Sequence, residues 1–463
     1  MKHAKTSPRV IRVLTVTVFF LAFLPAQAQS DAAVSNVILM ISDGCGYNQM
    51  DAASLYEYGQ TGTQPYEQFP VKLAAATFLH EQDYDPGQAW SEFDYVSEKG
   101  SFTDSAAAAT AMSTGRKTRK GAIGLGPDGE RLKSIFDLAE SKGKATGVVT
   151  SVQFSHATPA GFAAHNESRA NYEEIAREMI YESPLEVIIG CGHPAYDDDD
   201  KPIRGKKEYK YVGGKETWED LKDGSVTGAD ADGDGKPDTW TVIQQRERFR
   251  TLAKGEAPRR LIGIATKHKT LQQGRSGQTK APPYAIPFNG KAPTLAEMTA
   301  VALNVLDEYP AGFFLMVEGG AIDWAGHKNQ SGRLIEEQIE FNKTVEFVIK
   351  WLEATGRSDQ TLLIVTADHE TGYLTGPGSG QKEHKPVWNP LGNNGKGSAP
   401  AMEWHSKDHT NSLVPFFAKG PGAERFKACA TRIDPVRGAY LDNTDIAKVI
   451  FSLLGQGNDA PGG

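Results

Sequence analysis

Three apolar runs in this chain each stop at an acidic residue that can bind a metal ion. Asn36-Val37-Ile38-Leu39-Met40-Ile41-Ser42 stops at Asp43. Gly312-Phe313-Phe314-Leu315-Met316-Val317 stops at Glu318, with Asp323 and His327 following. Thr361-Leu362-Leu363-Ile364-Val365-Thr366-Ala367 stops at Asp368-His369. Carboxylates mixed with imidazoles suit zinc, and oxygen-rich positions suit magnesium. So much negative charge in one place calls for more than one cation. Asp323 and His327 are four residues apart, so one helical turn presents both to one metal. The runs are short, unbroken and rich in β-branched and aromatic residues. They predict strands buried on both faces, the kind found in parallel sheets. In such sheets the ligand crevice lies outside the carboxyl ends of the strands, so distant segments would deliver their ligands to one edge.

A nucleophile candidate lies elsewhere. Phe102-Thr103-Asp104-Ser105 leads into Ala106-Ala107-Ala108-Ala109-Thr110-Ala111-Met112. Alanine is the best helix former, and Thr, Asp and Ser favour the N-terminal boundary. On its own this segment reads as an ordinary N-cap. Ser105 nevertheless sits where backbone N–H groups and the positive end of the helix dipole favour an anion such as phosphate. Further along, His156-Ala157-Thr158-Pro159 and His165-Asn166-Glu167-Ser168-Arg169 follow a predicted strand over Thr146-Gly147-Val148-Val149-Thr150. Trp404-His405-Ser406-Lys407-Asp408-His409-Thr410 precedes another apolar run, Leu413-Val414-Pro415-Phe416-Phe417.

The ordered set Asp43-Gly44, Thr103-Asp104-Ser105-Ala106, His156 to Pro159, Ser168-Arg169, Glu318-Gly319, Asp323 to His327, Asp368-His369 and His409-Thr410 resembles bacterial alkaline phosphatase. Each motif is short and weak alone, but together they run in order over most of the chain. The resemblance implies an α/β three-layer sandwich with a mostly parallel central sheet. It also implies a phosphomonoesterase using two Zn2+ and one Mg2+. By position, the first zinc would take Asp323, His327 and His409. The second would take Asp43, Asp368 and His369, with the Ser105 oxygen. Magnesium would take Asp43, Thr158 and Glu318. Ser105 would form a phosphoserine, and Arg169 would grip two phosphate oxygens with its planar fork. The family is commonly dimeric, so a homodimer is implied as well.

Two positions depart from some members of the family. His156 stands where some have Asp, and Trp324 where some have Lys. An imidazole beside magnesium removes a negative charge and offers nitrogen, and a tryptophan removes a cation near phosphate. Both substitutions are read as tuning, with the hold on the third metal in question.

Lys2, Lys5, Arg9 and Arg12, the apolar stretch from Val13 to Leu24, and Ala26-Gln27-Ala28 predict a signal peptide over 1–28 and export to a periplasm or the medium. Residues 29–463 are read as one catalytic domain, with irregular insertions at about 191–293 and 375–403. Thr294 and Glu297 predict a capping box, and Ser331 to Ala354 a long helix. Asp230-Ala231-Asp232-Gly233-Asp234-Gly235, with Asp238, matches the opening of a calcium loop, although Thr241 replaces the expected bidentate Glu. This makes a structural Ca2+ a candidate and a polar surface turn its rival. The run Asp197 to Asp200 reads as a solvated loop. The three cysteines, Cys45, Cys191 and Cys429, allow at most one disulfide. Cys45 reads as a small buried hydrophobe, and a Cys191–Cys429 bridge is compatible with export. The remaining histidines, His405 among them, are read as structural or surface residues. A formal net charge of -8 argues against a nucleic-acid binder. Competing readings are a phosphodiesterase or sulfatase of the same superfamily, and a non-catalytic zinc- or phosphate-binding protein. A diesterase would more often use Thr and lack Arg169, and a sulfatase would need a formylglycine precursor motif near Ser105. Small phosphate monoesters are the expected substrates.

Overall fold

The computed structural model describes residues 1–3, 34–98, 100–228, 230, 235–383 and 385–455. The predicted signal peptide lies almost wholly outside them, as do Asp232 and Asp234 of the calcium-loop motif.

The apolar runs form strands as their composition requires. The first eight strands of the central sheet are β1 (Asn36–Ser42), β2 (Val71–Ala76), β3 (Ala145–Gln153), β4 (Val187–Cys191), β5 (Thr241–Ile243), β6 (Leu261–Ile264), β7 (Phe313–Gly319) and β8 (Thr361–Thr366). Three more, Val414–Lys419, Arg432–Asp434 and Gly438–Asp442, complete an eleven-stranded sheet. Its order is Arg432–Asp434, Gly438–Asp442, β2, Val414–Lys419, β8, β1, β7, β3, β4, β6, β5. From β8 to β5 all neighbours are parallel, and Val414–Lys419 runs antiparallel to β8 and β2. Every residue of β1, β3, β4, β7 and β8 is buried, as expected of strands covered on both faces.

One face carries the helices Tyr47–Tyr58, Leu295–Leu306 and Ser331–Thr355. The other carries Ser105–Thr114, Ile135–Ser141, Ala157–Ala163 and Thr444–Leu453. The result is the three-layer α/β sandwich. The Thr294–Glu297 capping box forms, with Glu297 N donating to Thr294 Oγ1 at 3.1 Å. Among the described residues no helix is long and apolar enough to cross a membrane.

Register fixes the heights of the site residues. Ile41 is level with Glu318 on β7 and with Thr366 on β8, so Asp43 and Asp368 emerge together beside Glu318. The helix that begins at Ser105 packs tightly on the helix that carries Thr158. A Cβ on Gly161 would lie 2.7 Å from Ala109 Cβ, and Ser113 Oγ donates to Gly161 O at 2.5 Å.

Three expectations change. The stretch 191–293 is not irregular throughout. It supplies β5 and β6, which extend the parallel sheet at one edge, and the helices Gly214–Asp223 and Arg246–Leu252. Strands of three and four residues are too short to show periodicity. The run Asp197 to Asp200 is not a solvated loop. Asp200 is buried against Lys267 at 3.2 Å, Asp198 Oδ1 accepts Lys269 N at 2.6 Å, and Asp199 Oδ1 accepts Ser276 N at 2.8 Å. All three cysteines are free. Cys191 ends β4, whereas the helix containing Cys429 packs on Gly438–Asp442, seven strand intervals away. At about 4.8 Å per interval a disulfide is out of reach. In the calcium-loop segment, Asp230 Oδ2 accepts Gly235 N at 2.8 Å and Asp238 O accepts Gly228 N at 2.8 Å.

Because two helices of the site touch through Gly161, its replacement should be costly. Gly161→Val is expected to lower stability by about 1–3 kcal/mol through overpacking. It should also lower turnover by pushing Ser105 away from Thr158. Urea denaturation and steady-state kinetics check both.

Candidate active site

The carboxyl edge of β8, β1, β7 and β3 gathers the twelve predicted residues of the site. Three groups of side chains bring ligand atoms within 4.8 Å of one another: Asp323, His327 and His409; Asp43, Asp323 and His369; and Asp43, His156 and Glu318. Asp368 adjoins the second group, with Oδ2 3.2 Å from His369 Nε2.

Local structure explains each placement. Asp43 follows β1 directly, and Gly44 has φ +75°, where a side chain is strained. A Cβ there would also lie 2.7 Å from Asp323 Cα. Gly44 N donates to Asp368 Oδ1 at 3.0 Å, tying the ends of β1 and β8 together. Asp323 and His327 share the helix Ala321–His327, with His327 Nε2 3.3 Å from Asp323 Oδ1. Beyond β8, Glu370–Thr371 pairs antiparallel with His409–Thr410. That short ladder stacks His369 on His409, with ring centroids 3.6 Å apart. His409 Nε2 lies 3.4 Å from Asp323 Oδ1, and its Nδ1 faces Thr103 O at 2.9 Å.

Ser105 is the first residue of the helix Ser105–Thr114, and Asp104 is its N-cap, accepting Ala107 N at 3.1 Å. Ser105 Oγ lies 3.2 Å from His369 Nε2. Asp104 also accepts Gly121 N at 3.0 Å and pairs with Arg169 Nη1 at 2.9 Å. Arg169 Nη2 lies 3.2 Å from His156 Nε2. A guanidinium is only a donor, so this contact requires a neutral His156 with Nε2 as acceptor and the proton on Nδ1. Burial, followed by the Arg169 charge, depresses His156 to about 3, consistent with a neutral ring. Trp324 stands edge-on to His156, with centroids 5.9 Å apart.

Crowding perturbs every acid. Burial first, then Asp368, Asp323 and Glu318, pushes Asp43 well above the usual carboxylate range. Burial raises Asp368 to about 7 and raises Glu318. Burial would raise Asp323 as well, but His409, His327 and His369 outweigh it and hold Asp323 low. Against its own burial, His409 is raised by Asp323, whereas burial and His409 depress His369.

Several contributors have no sequence motif. Thr371 Oγ1 donates to Asp323 Oδ1 at 2.6 Å and also contacts His369 Nδ1 at 3.2 Å. Thr150 Oγ1 donates to Glu318 Oε2. Glu370 accepts Gln49 Nε2 and Thr410 Oγ1, which locks the ladder behind the site. The one available signal was their position, within two residues of a candidate ligand or level with one on a neighbouring strand. Cys45 stays outside, donating to Gly46 O at 3.4 Å, its thiol pushed up to about 12 by burial. His165, His193, His268 and His405 make hydrogen bonds elsewhere.

The class of protein defined by this sheet edge is a hydrolase of phosphate esters. Residues 34–397 match the alkaline phosphatase family profile, and the chain belongs to that family. It is 29% identical to alkaline phosphatase 4 of Bacillus subtilis (strain 168), over 99% of this chain and 98% of that protein. The alkaline phosphatase of the Antarctic bacterium TAB5 superposes with a TM-score of 0.61 at 25% identity, covering 91% of this chain and 98% of that one. A His-to-Asp variant of the TAB5 enzyme with Mg bound in its M3 site gives a TM-score of 0.62 at the same identity and coverage.

Asp104 serves both the helix and Arg169, and two substitutions separate these roles. Asp104→Asn keeps a good cap, whereas Asp104→Ala loses about 1 kcal/mol of helix stability. Both should weaken inhibition by inorganic phosphate, on the order of tenfold for loss of a charged contact. Melting curves and phosphate inhibition constants check the separation.

Proposed function

We propose that the chain is an exported, zinc- and magnesium-dependent phosphomonoesterase acting through a phosphoserine at Ser105. One observation carries this reading. Asp43 Oδ1 and Oδ2, Thr158 Oγ1, Glu318 Oε1 and Asp368 Oδ2 are buried without hydrogen-bond partners. Buried carboxylate oxygens left without partners are costly, and bound cations would offset that cost. The donor set therefore fits the metals.

In this reading Asp323, His327 and His409 hold one zinc, and Asp43, Asp368 and His369 hold the other beside Ser105. Asp43, Thr158 and Glu318 hold magnesium, an all-oxygen set. The metals supply Lewis acidity, lowering the cost of negative charge at Ser105 Oγ and at the departing ester oxygen. The protein supplies position. The helix start at Ser105 points N–H groups at the phosphoryl oxygens. Asp104 and His156 hold Arg169 from two directions, so its fork is set before substrate arrives. Ser105 Oγ gives up its proton to solvent and bonds to phosphorus as the P–O bond to the leaving group breaks; the electron pair leaves with that oxygen, which takes a proton from solvent. Water then attacks phosphorus and loses a proton to solvent, the P–Oγ bond breaks with its electron pair going to Oγ, and phosphate departs as Ser105 Oγ regains a proton. A prepositioned Arg169 favours monoesters over diesters, whose second ester group would occupy its space. Export rests on the n-region, apolar stretch and A-x-A site within residues 1–28.

Ser105→Ala is expected to abolish phosphoenzyme formation while leaving the fold and zinc content intact. Acid-quench labelling with radioactive phosphate and metal analysis are the test, and label persisting on another residue would remove Ser105 from the role. A second expectation concerns His156 and Trp324. Asp at 156 restores a carboxylate beside Asp43 and Glu318 and pairs with Arg169. His156→Asp with Trp324→Lys should therefore tighten magnesium and phosphate together and lower the maximal rate where release limits turnover. Phosphate inhibition across a magnesium titration reads both.

A further inference from the structure

Several exposed lysines stand near the candidate site of a chain whose formal net charge is -8. His327, with 37% of its side chain exposed, marks the solvent-facing side. Lys120 is exposed, and its Nζ lies 4.3 Å from the ring centroid of Phe102. The same ring packs beside His409, with centroids 6.1 Å apart. The next residue, Gly121, is hydrogen-bonded through its backbone to both Asp104 and Arg169. Lys328 directly follows His327 and is exposed, with Nζ 5.8 Å from the ring centroid of Trp324. Lys269 and Asp198 are its charged neighbours. Lys407 is exposed as well, and its carbonyl faces His327 Nδ1. Among the described residues, Lys120, Lys328 and Lys407 take part in no ion pair. The exposed carboxylate beside His409 is Asp408.

We propose that Lys120 and Lys328 form a cationic rim selecting phosphate monoesters whose leaving group carries a second anionic group, a carboxylate or another phosphate. The proposal rests on the phosphomonoesterase reading and narrows its substrate class. An ester with a neutral leaving group meets only the groups that bind its phosphoryl end. A second anion on the leaving group projects out of the mouth, toward ammonium groups held over Phe102 and Trp324. Phe102 and Trp324 hold the two cations over aromatic faces. An ammonium on a flexible stem is a point charge without the geometric demand of a guanidinium. The rim therefore selects a class, not one compound. Exposed charge pairs of this kind are modest and are screened by salt.

The test compares kcat/KM for phenyl phosphate and 4-carboxyphenyl phosphate, in the holoenzyme and in Lys120→Ala, Lys328→Ala and the double variant. The phosphoryl end is common, so its contribution cancels in the ratio. The preference for the carboxylated ester is expected to fall about two- to fivefold per lysine removed, to survive in Lys→Arg variants, and to shrink for wild type at high salt. A sugar monophosphate and its bisphosphate form a second pair, which sets phosphate against carboxylate as the preferred second anion. Unchanged ratios in both pairs, with phenyl phosphate still hydrolysed by every variant, overturn the rim alone. Failure of the wild type to hydrolyse either aryl ester overturns the phosphomonoesterase reading itself.

Discussion

Four carboxylates, Asp43, Glu318, Asp323 and Asp368, are buried at one edge of one sheet, and much of the surrounding structure manages that charge. Three of them are pushed up by burial and one is held low by imidazoles. Thr150, Thr371 and the backbone N–H groups of Gly44 and His369 each satisfy a carboxylate oxygen. Several oxygens remain unpaired nonetheless. A fold selected only for stability would not keep such groups, because apolar side chains of similar volume would cost less. The parallel sheet makes the arrangement attainable. Neighbouring strands end at the same height, so β8, β1 and β7 deliver Asp368, Asp43 and Glu318 side by side without long loops.

Ser105, the proposed nucleophile, reaches this edge from the helical layer. Asp104 caps the helix of Ser105, fixes Gly121 and pairs with Arg169. One carboxylate thereby sets the helix start and Arg169 in a common frame. Its pKa is lowered despite burial, since Arg169 and two backbone N–H groups outweigh desolvation. A depressed carboxylate gives stability above its unfolded pKa and loses it as pH falls through the folded one. This part of the frame is therefore intact at neutral and alkaline pH.

Much of the architecture was legible because Asp43, Glu318 and Asp368 sit at the ends of apolar runs and Ser105 at a helix start. Strands β1, β7 and β8 stand where their unbroken hydrophobic stretches lie, and the capping box at Thr294 forms as its spacing requires. Other parts carried no local signal. Val71-Lys72-Leu73-Ala74-Ala75-Ala76 has helix-forming composition yet is a strand, because its place between Val414–Lys419 and Gly438–Asp442 overrides propensity. Strands β5 and β6 are too short for periodicity to register. The acidic run at Asp197 to Asp200 was misread because composition says nothing of Lys267 and the backbone donors waiting some seventy residues on. In the site, Thr371 and Thr150 were silent because a hydroxyl that holds a neighbouring carboxylate has no characteristic spacing.

His156 shows how such a site can be balanced by one proton. Its ring faces Arg169 through Nε2, while ring atoms also lie near Asp43 and Glu318. A neutral imidazole has one donor and one acceptor nitrogen. If Nε2 accepts from Arg169, Nδ1 carries the proton and repels a cation. If Nδ1 faces a cation, the proton moves to Nε2 and the Arg169 contact becomes donor against donor. The ring therefore cannot serve the arginine and a third cation fully at once. A carboxylate at this position is acceptor-only and could serve both. Under the proposed phosphomonoesterase function, histidine here couples the hold on phosphate to the hold on a third metal with opposite signs. Such coupling loosens one partner whenever the other tightens, which favours release over retention.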